Sequence, residues 1–186
     1  MPPKEIEIKF RVANVRKLNS ALKTAGFRLA TPRTHEMNTL YDRQGQVLRR
    51  NGELLRLRKY GSIWVLTHKS KSKTGKHKAR VETETRVSNG ARTDSILRAL
   101  GFQPTFRYEK FRAEWTDDIG HVVIDETPIG TFAEVEGLPR WIDRTAKQLG
   151  ITRGEYITTS YAPLFLEWKR KMKSSAREMT FKEVKR

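Results

Sequence analysis

The chain has 186 residues, 37% of them hydrophobic, with 38 Lys and Arg against 21 Asp and Glu, a formal net charge of +17, and no cysteine. That length and apolar content suit one domain with its own core. The missing cysteines exclude disulfides, thiolate zinc sites and a cysteine nucleophile, leaving carboxylates and four histidines for any metal. The charge surplus implies a polyanionic partner, whether nucleic acid, anionic membrane or phosphorylated small molecule. No apolar run approaches the roughly 20 residues that span a bilayer, and "MPPKEIEIKF" lacks the apolar centre of a signal peptide. A soluble cytoplasmic protein without membrane association is expected, and a homodimer stays open.

In chain order, "EIEIKF" (Glu5 to Phe10) alternates strictly and reads as a strand. Asn14 can cap a helix "VRKLNSALKTA" that Gly26 ends. Strand-like sequence runs from Phe27 to Tyr41, and "LLRLRKY" (Leu54 to Tyr60) and "SIWVLTHK" (Ser62 to Lys69) form a hairpin about Gly61. "RVETETRV" (Arg80 to Val87) alternates again, and "RTDSILRAL" (Arg92 to Leu100) has helical spacing. Strands follow at Phe106 to Trp115, His121 to Glu126 and Thr131 to Glu136, then helices at Leu138 to Gly150 and Ser160 to Met172, with Pro163 in the first turn of the last. Two stretches are strongly basic: "KSKSKTGKHK" (Lys69 to Lys78) and "EWKRKMKSSAREMTFKEVKR" (Glu167 to Arg186). They read as a solvated loop and a frayed basic helix end rather than as arms for nucleic acid.

The strands share one unusual property. Like charges recur two residues apart: Glu5 and Glu7, Arg56 and Arg58, Glu82 and Glu84, Lys110 and Arg112, Glu134 and Glu136, with Asp125 on the strand before the last pair. Residues i and i+2 project from one face about 6.5 to 7 Å apart, so each pair repels itself. For any one strand the ordinary reading is apolar side chains inward and charges in solvent. Solvent faces usually mix signs, however, because neighbouring like charges repel; here three strands are acidic and two basic. Turning the sheet over places the charges in a barrel lumen and the apolar face beneath the helices. A dry lumen of unpaired carboxylates is very costly. Divalent cations on the acidic side, Mg²⁺ or Mn²⁺ given oxygen ligands, and a multiply charged anion on the basic side would offset that cost. A triphosphate bridged by metal satisfies both.

In sequence, these pairs resemble the signatures of the CYTH superfamily of triphosphate tunnel metalloenzymes. "EIEIKF" is similar to its E-x-E-x-K strand, "LRLR" to its R-x-R strand, "THK" to its lysine strand and "VETE" to its central acidic strand. "EKFRAEW" resembles the K-x-R strand and "IDETPIGTFAEVEG" the acidic ending, while "HEMNTLYD" (His35 to Asp42) and "SYAPLF" (Ser160 to Phe165) also look familial. The resemblance covers residues 1–168, leaving 169–186 as a basic tail or helix extension. It implies an α+β fold, an antiparallel eight-stranded barrel forming a tunnel with a charged lumen and helices outside. Carried over residue by residue, Glu5, Glu7, Asp125, Glu134 and Glu136 form the metal side, with Glu134 and Glu136 foremost and Glu82 and Glu84 either ligating or orienting. Lys9, Arg56, Arg58, Lys69, Lys110 and Arg112 grip the phosphates. Arg107 competes within the basic strand, although parity and the following Trp115 favour Lys110 with Arg112, and Lys71 could replace Lys69 if that strand runs further.

The resemblance implies phosphoryl chemistry in which Arg58 and Arg112 stabilise developing charge and Glu5 or Glu7 takes the nucleophile's proton. Hydrolysis of tripolyphosphate, thiamine triphosphate or a nucleoside triphosphate needs only the tunnel. Class IV adenylyl cyclase chemistry is the alternative within the family, and a non-catalytic polyphosphate- or RNA-binding module the alternative outside it. "TGK" (Thr74 to Lys76) lacks the rest of a P-loop; His35, His68, His77 and His121 form no metal motif. Trp64, Trp115, Trp141 and Trp168 are expected to pack in the core rather than stack bases.

Overall fold

The computed structural model describes residues 4–73 and 75–184; Thr74 in the basic loop and Lys185 and Arg186 in the tail lie outside the described residues. Eight strands alternate with helices: β1 (Lys4–Arg11), α1 (Val15–Thr24), β2 (Arg28–Asp42), α2 (Val47–Asn51), β3 (Leu54–Tyr60), β4 (Ile63–Lys69) and β5 (Lys78–Val87). The remainder are α3 (Gly90–Ala99), β6 (Gln103–Thr116), β7 (His121–Thr127), β8 (Gly130–Glu136), α4 (Pro139–Gln148) and α5 (Tyr161–Met172). The strands close into an antiparallel barrel in the order β1-β5-β4-β3-β2-β6-β7-β8. Closure pairs β1 with both β5 and β8, setting Glu7 opposite Lys78 on one side and Glu136 on the other.

Closing the sheet removes its edges and forces each strand to choose which parity faces the lumen. The apolar parity faces outward, as the pairs of like charge suggest. Ile8 and Phe10 of β1, Val122 and Ile124 of β7 and Ala133 and Val135 of β8 pack with Leu18 and Leu22 of α1 and Trp141, Ile142 and Ala146 of α4 in one core. A second outer core sets Leu57 and Tyr41 against Leu97 of α3. Asn14 caps α1 by accepting from the Lys17 N–H at 3.0 Å, and Asn89 caps α3 by accepting from Arg92 at 3.0 Å. Trp141 lies so close to Gly120 that a Cβ there would meet its ring at 2.6 Å, which leaves glycine as the residue that fits.

Two elements depart from the sequence reading. The short α2 follows β2 because the Asp42 carboxylate accepts from the N–H groups of Leu48 and Arg49 at 2.9 and 3.0 Å, donors that a helix start leaves open, and from the neighbouring Arg43 N–H at 2.7 Å. At five residues it is too short to show as periodicity. The expected frayed helix end is also replaced by structure. Beyond Lys173, which adopts the left-handed conformation, the chain turns back onto the barrel, and Ala176, Met179 and Val184 are buried. Met179 pairs with β6, donating from its N–H to Arg107 O at 3.0 Å and accepting from the Glu109 N–H at 2.9 Å. This half of β6 extends past its pairing with β7, which begins at Phe111, so its backbone groups need another partner.

Candidate active site

The inward parity carries the charge. Glu5, Glu7 and Lys9 from β1, Arg56 and Arg58 from β3, Lys69 from β4, and Lys78, Arg80, Glu82 and Glu84 from β5 line a cavity of about 1070 Å³ together with Lys110 and Arg112 from β6 and Glu134 and Glu136 from β8. Behind this surface, Glu36 of β2 and Asp125 of β7 are fully buried. These residues amount to eight cations facing eight carboxylates, so the interior is close to neutral although the chain is strongly basic.

Nearly every charge has a partner. Lys9 Nζ lies 3.1 Å from Glu134, Lys78 Nζ 2.6 Å from Glu7, and Lys69 Nζ 2.9 Å from Glu5 and 2.6 Å from Glu82. Arg80 reaches Glu5 at 3.2 Å, Arg56 reaches Glu82 at 3.6 Å, and Arg58 reaches Glu84 at 3.3 Å. The densest cluster surrounds Asp125. It accepts from Lys110 Nζ at 2.9 Å, from Arg112 Nε and Nη2 at 2.7 Å each, and from the Tyr161 hydroxyl at 2.7 Å, while Arg112 also donates to Glu134 at 2.8 Å. Glu36 stands 3.3 Å from Lys110, 3.8 Å from Arg112 and 3.9 Å from Arg58. Such pairing is what allows charge to persist out of water, since each buried ion alone costs several kcal/mol.

Titration follows this map. Burial would raise the Glu134 carboxyl, but Lys9, Arg112 and Lys110 outweigh it and hold the group well below the usual range. Glu36 is likewise lowered despite burial, by Lys110 and Arg112. Glu136 behaves in the opposite way: burial, then the charges of Glu5, Glu7 and Glu134, push it up to about 7. It is the carboxylate of the interior that faces like charges without an ion-pair partner among the described residues. Burial first, and then Asp125 and Glu134, raise the Tyr161 hydroxyl well above its ordinary value, so it stays a donor.

Two sets of atoms are left over. Buried Nε donors of Arg56 and Arg58 and the Oδ1 acceptor of Asn38 have no hydrogen-bond partner among the described residues. The guanidinium donors require an acceptor from outside the chain, since an unmade buried hydrogen bond costs about 1–3 kcal/mol. On the acidic side, Glu5, Glu7, Glu134 and Glu136 gather negative charge that a divalent cation would relieve. Among the described residues no three acidic or histidine side chains converge as a preformed metal centre, because most of these carboxylates are turned toward lysine or arginine. The donors are nonetheless carboxylate oxygens throughout, the ligand chemistry of a hard cation, and would need to leave their lysine and arginine partners to converge on one.

Apolar packing ties the C-terminal elements to the barrel. Tyr108, Phe132, Tyr161, Leu164, Phe165 and Met179 form a third cluster that joins α5 and the C-terminal segment to the lumen. Tyr161 inserts furthest, with Lys9 Nζ 4.3 Å and Lys110 Nζ 5.2 Å from its ring centre, so it steadies two cations electrostatically while its hydroxyl orients Asp125.

All the site residues nominated from sequence face the interior. Asp125, expected on the metal side, does not reach the cavity surface: its oxygens are taken by Lys110, Arg112 and Tyr161. Parity resolves the first competition, and the end of β4 at Lys69 resolves the second. Arg107 faces outward with Glu178 at 4.0 Å, and Lys69 rather than Lys71 lies in the lumen. The β5 face is mixed rather than acidic, because Lys78 and Arg80 share the parity of Glu82 and Glu84. Lys78, Arg80, Glu36 and Tyr161 were the residues that sequence reasoning missed. The first two continue an alternation already visible, and Glu36 with Asn38 lies within the quoted "HEMNTLYD" segment and Tyr161 within "SYAPLF"; a helix start gives no inward parity, so that segment did not single Tyr161 out.

Comparison with known proteins agrees with this architecture. The model of the CYTH domain matches residues 3–161. Among solved structures, a candidate adenylate cyclase from Vibrio parahaemolyticus superposes with a TM-score of 0.79 at 20% identity, over 89% of this chain and 99% of that one. The PH1819 protein of Pyrococcus horikoshii OT3 gives 0.75 at 22% identity, over 88% and 98%. HpAC1 of Hippeastrum, described as a candidate adenylyl cyclase that reveals a dominant triphosphatase activity, gives 0.64 at 21% identity, over 88% and 95%. At these identities the likeness is one of fold. No curated protein sequence matches the chain.

Proposed function

This chain belongs to the CYTH domain family, and from that premise we propose that it is a divalent-metal-dependent enzyme that binds a triphosphate inside the barrel and hydrolyses it. The observation that carries the reading is the pair of buried Arg56 and Arg58 Nε donors that lack a hydrogen-bond partner among the described residues and lie on the cavity wall beside mostly paired charge. A near-neutral interior accepts a multiply charged anion only if cations exchange partners. Lys9, Arg56, Arg58, Lys69, Lys110 and Arg112 turn from carboxylate to phosphate, each charge-assisted contact contributing roughly 1.5 to 3 kcal/mol. The carboxylates they release, Glu5, Glu82, Glu84 and Glu134, become available to hold Mg²⁺ or Mn²⁺ together with the unpaired Glu136 and with Glu7, which Lys78 keeps oriented. Bound there, such an ion would supply positive charge that neutralises phosphate oxygens and leaves the phosphorus more open to attack.

The protein's own contribution is position and fixed charge. Asp125 and Tyr161 hold Arg112 and Lys110 at the side of the phosphates, and Arg58 flanks them from β3. Water adds to the terminal phosphorus, the bond to the bridging oxygen breaks with its electron pair leaving on that oxygen, and Glu5 or Glu7 receives the water's proton. Tripolyphosphate then gives pyrophosphate and orthophosphate. Cyclisation of ATP to cyclic AMP and pyrophosphate is a second reading. It is supported by the apolar wall of Leu40, Phe106, Phe165 and Leu166 along the same cavity, a surface on which a base could rest, and by the candidate cyclase among the structural neighbours.

The test is to incubate purified protein with tripolyphosphate, thiamine triphosphate and ATP in turn, with Mg²⁺ or Mn²⁺, and to identify products. Orthophosphate supports hydrolysis, cyclic AMP with pyrophosphate supports cyclisation, and no product with any substrate leaves a binding module. Arg58→Ala is expected to reduce turnover by at least about a hundredfold while the protein stays folded. Full activity in that variant refutes the site.

A further inference from the structure

Inside the tunnel each cation stands beside a carboxylate. Two arginines lining the same cavity do not: Arg49 in α2 and Arg177 in the C-terminal segment. Among the described residues neither guanidinium has a carboxylate at ion-pair distance; Arg49 Nη1 donates to Gln46 Oε1 at 3.1 Å. Arg177 lies outside the part of the chain matched to the family, residues 3–161.

The segment that carries Arg177 is anchored on both sides. Ala176 and Met179 are buried, Met179 pairs with β6, and Phe181 packs on Phe111 at 5.3 Å between ring centres. The Glu183 carboxylate accepts from the N–H groups of Arg177 and Glu178 at 2.6 and 2.9 Å, closing the turn between these anchors. Arg177 itself remains exposed. A long cation fixed at its base, with the Glu183 carboxylate of its own turn nearby but beyond ion-pair distance, and opening onto the cavity is suited to an anion that arrives from solvent, and α2 brings Arg49 to the same cavity.

We infer that Arg177, with Arg49, forms an anion site at the cavity mouth that holds the portion of a substrate lying beyond its third phosphate, and that its ligand is a linear phosphate chain of four or more units. The inference rests on the triphosphate reading above and adds chain-length selection to it. The deep cations are shared with carboxylates and are occupied by three phosphates; a fourth phosphate meets, at the mouth, positive charge that is engaged in no ion pair among the described residues. Thiamine triphosphate, whose organic end is cationic, gains nothing there.

The experiment measures equilibrium binding of tripolyphosphate and tetrapolyphosphate by calorimetry, with Mg²⁺, to the full chain and to its Arg177→Ala, Arg177→Lys and Arg49→Ala variants. Contacts at a partly exposed site are expected to favour the tetrapolyphosphate by about three- to tenfold in the unaltered protein. Arg177→Ala should bring that ratio below about two while tripolyphosphate affinity stays within about twofold, Arg49→Ala should reduce it in part, and Arg177→Lys should restore part of it. Where turnover is measured, Arg177→Ala should raise KM for the longer chain and leave kcat unchanged. If neither anion binds the unaltered protein, the triphosphate reading falls and the mouth site with it. Tight tripolyphosphate binding without preference for the longer chain, or a preference that survives both alanine variants, overturns the mouth site alone.

Discussion

Replacing Glu136 by Gln should stabilise the metal-free protein at alkaline pH, against the usual expectation for a change inside a barrel. Glu136 is pushed from its ordinary value near 4.5 up to about 7 by burial and by Glu5, Glu7 and Glu134. Below pH 4.5 the carboxyl is protonated in folded and unfolded chain alike and contributes no pH dependence. Between 4.5 and about 7 the folded state keeps a proton that the unfolded state releases, so stability falls as pH rises through this window and the full penalty is present above 7. At 1.36 kcal/mol per unit the penalty is at most about 3 kcal/mol. Urea unfolding at pH 4.5 and pH 8 in the presence of a chelator measures it. The variant should match the unaltered protein at pH 4.5 and exceed it by about 2 to 3 kcal/mol at pH 8, with m unchanged. Adding Mg²⁺ or Mn²⁺ at pH 8 should stabilise the unaltered protein and narrow or reverse the gap, because the cation replaces the missing counter-charge. An advantage of the same size at both pH values, or none at pH 8, would refute the reasoning, since it would mean that Glu136 does not face the like charges of β1 and β8.

Three further outcomes follow from the same contacts. Glu36→Gln leaves Lys110, Arg112 and Arg58 short of a buried counter-charge and should destabilise by about 3 to 5 kcal/mol in chemical unfolding; a loss under 1 kcal/mol would show that water reaches this layer. Tyr161→Phe removes one donor to Asp125 but leaves Lys110 and Arg112, so the expected loss is about 1 kcal/mol of stability with a larger fall in kcat than in stability, read by steady-state turnover against thermal unfolding. Met179→Ala empties a fully buried site between β6 and α5 and should cost about 2 to 5 kcal/mol, and hydrogen exchange should quicken at the Met179 and Glu109 amides if the C-terminal segment is held as described.

Much of the fold was legible in the strands because a barrel imposes a period of two, and that period is written in charges rather than in hydrophobicity alone. Glu5, Glu7 and Lys9 face the lumen beside Lys78 and Glu134, the orientation that like-charge pairs on successive strands require. Sequence spacing also separates Lys110 and Arg112 from Arg107 by parity. It could not separate a carboxylate at the cavity surface from one behind it. Glu134 and Asp125 share strand type and parity, yet Asp125 is sealed by Lys110, Arg112 and Tyr161 while Glu134 opens onto the cavity. No helix of the described chain is long and apolar enough to cross a membrane, in keeping with the reading of the apolar runs.

By itself, then, the sequence determined the number of strands, their inward faces and the two signs of charge gathered there, since alternation and side-chain chemistry are local properties. Only the tertiary structure decided which opposite charges meet. Ion pairs such as Lys78 with Glu7 and Lys69 with Glu5 join residues more than sixty positions apart, and barrel closure and stagger fix those meetings, not any pattern within a strand. The same holds for the tail. Its lysines and arginines read as solvated, but the stretch of β6 that pairs with β2 and not with β7 offered backbone partners on its open side, and satisfying them buried Met179 and brought Arg177 to the cavity.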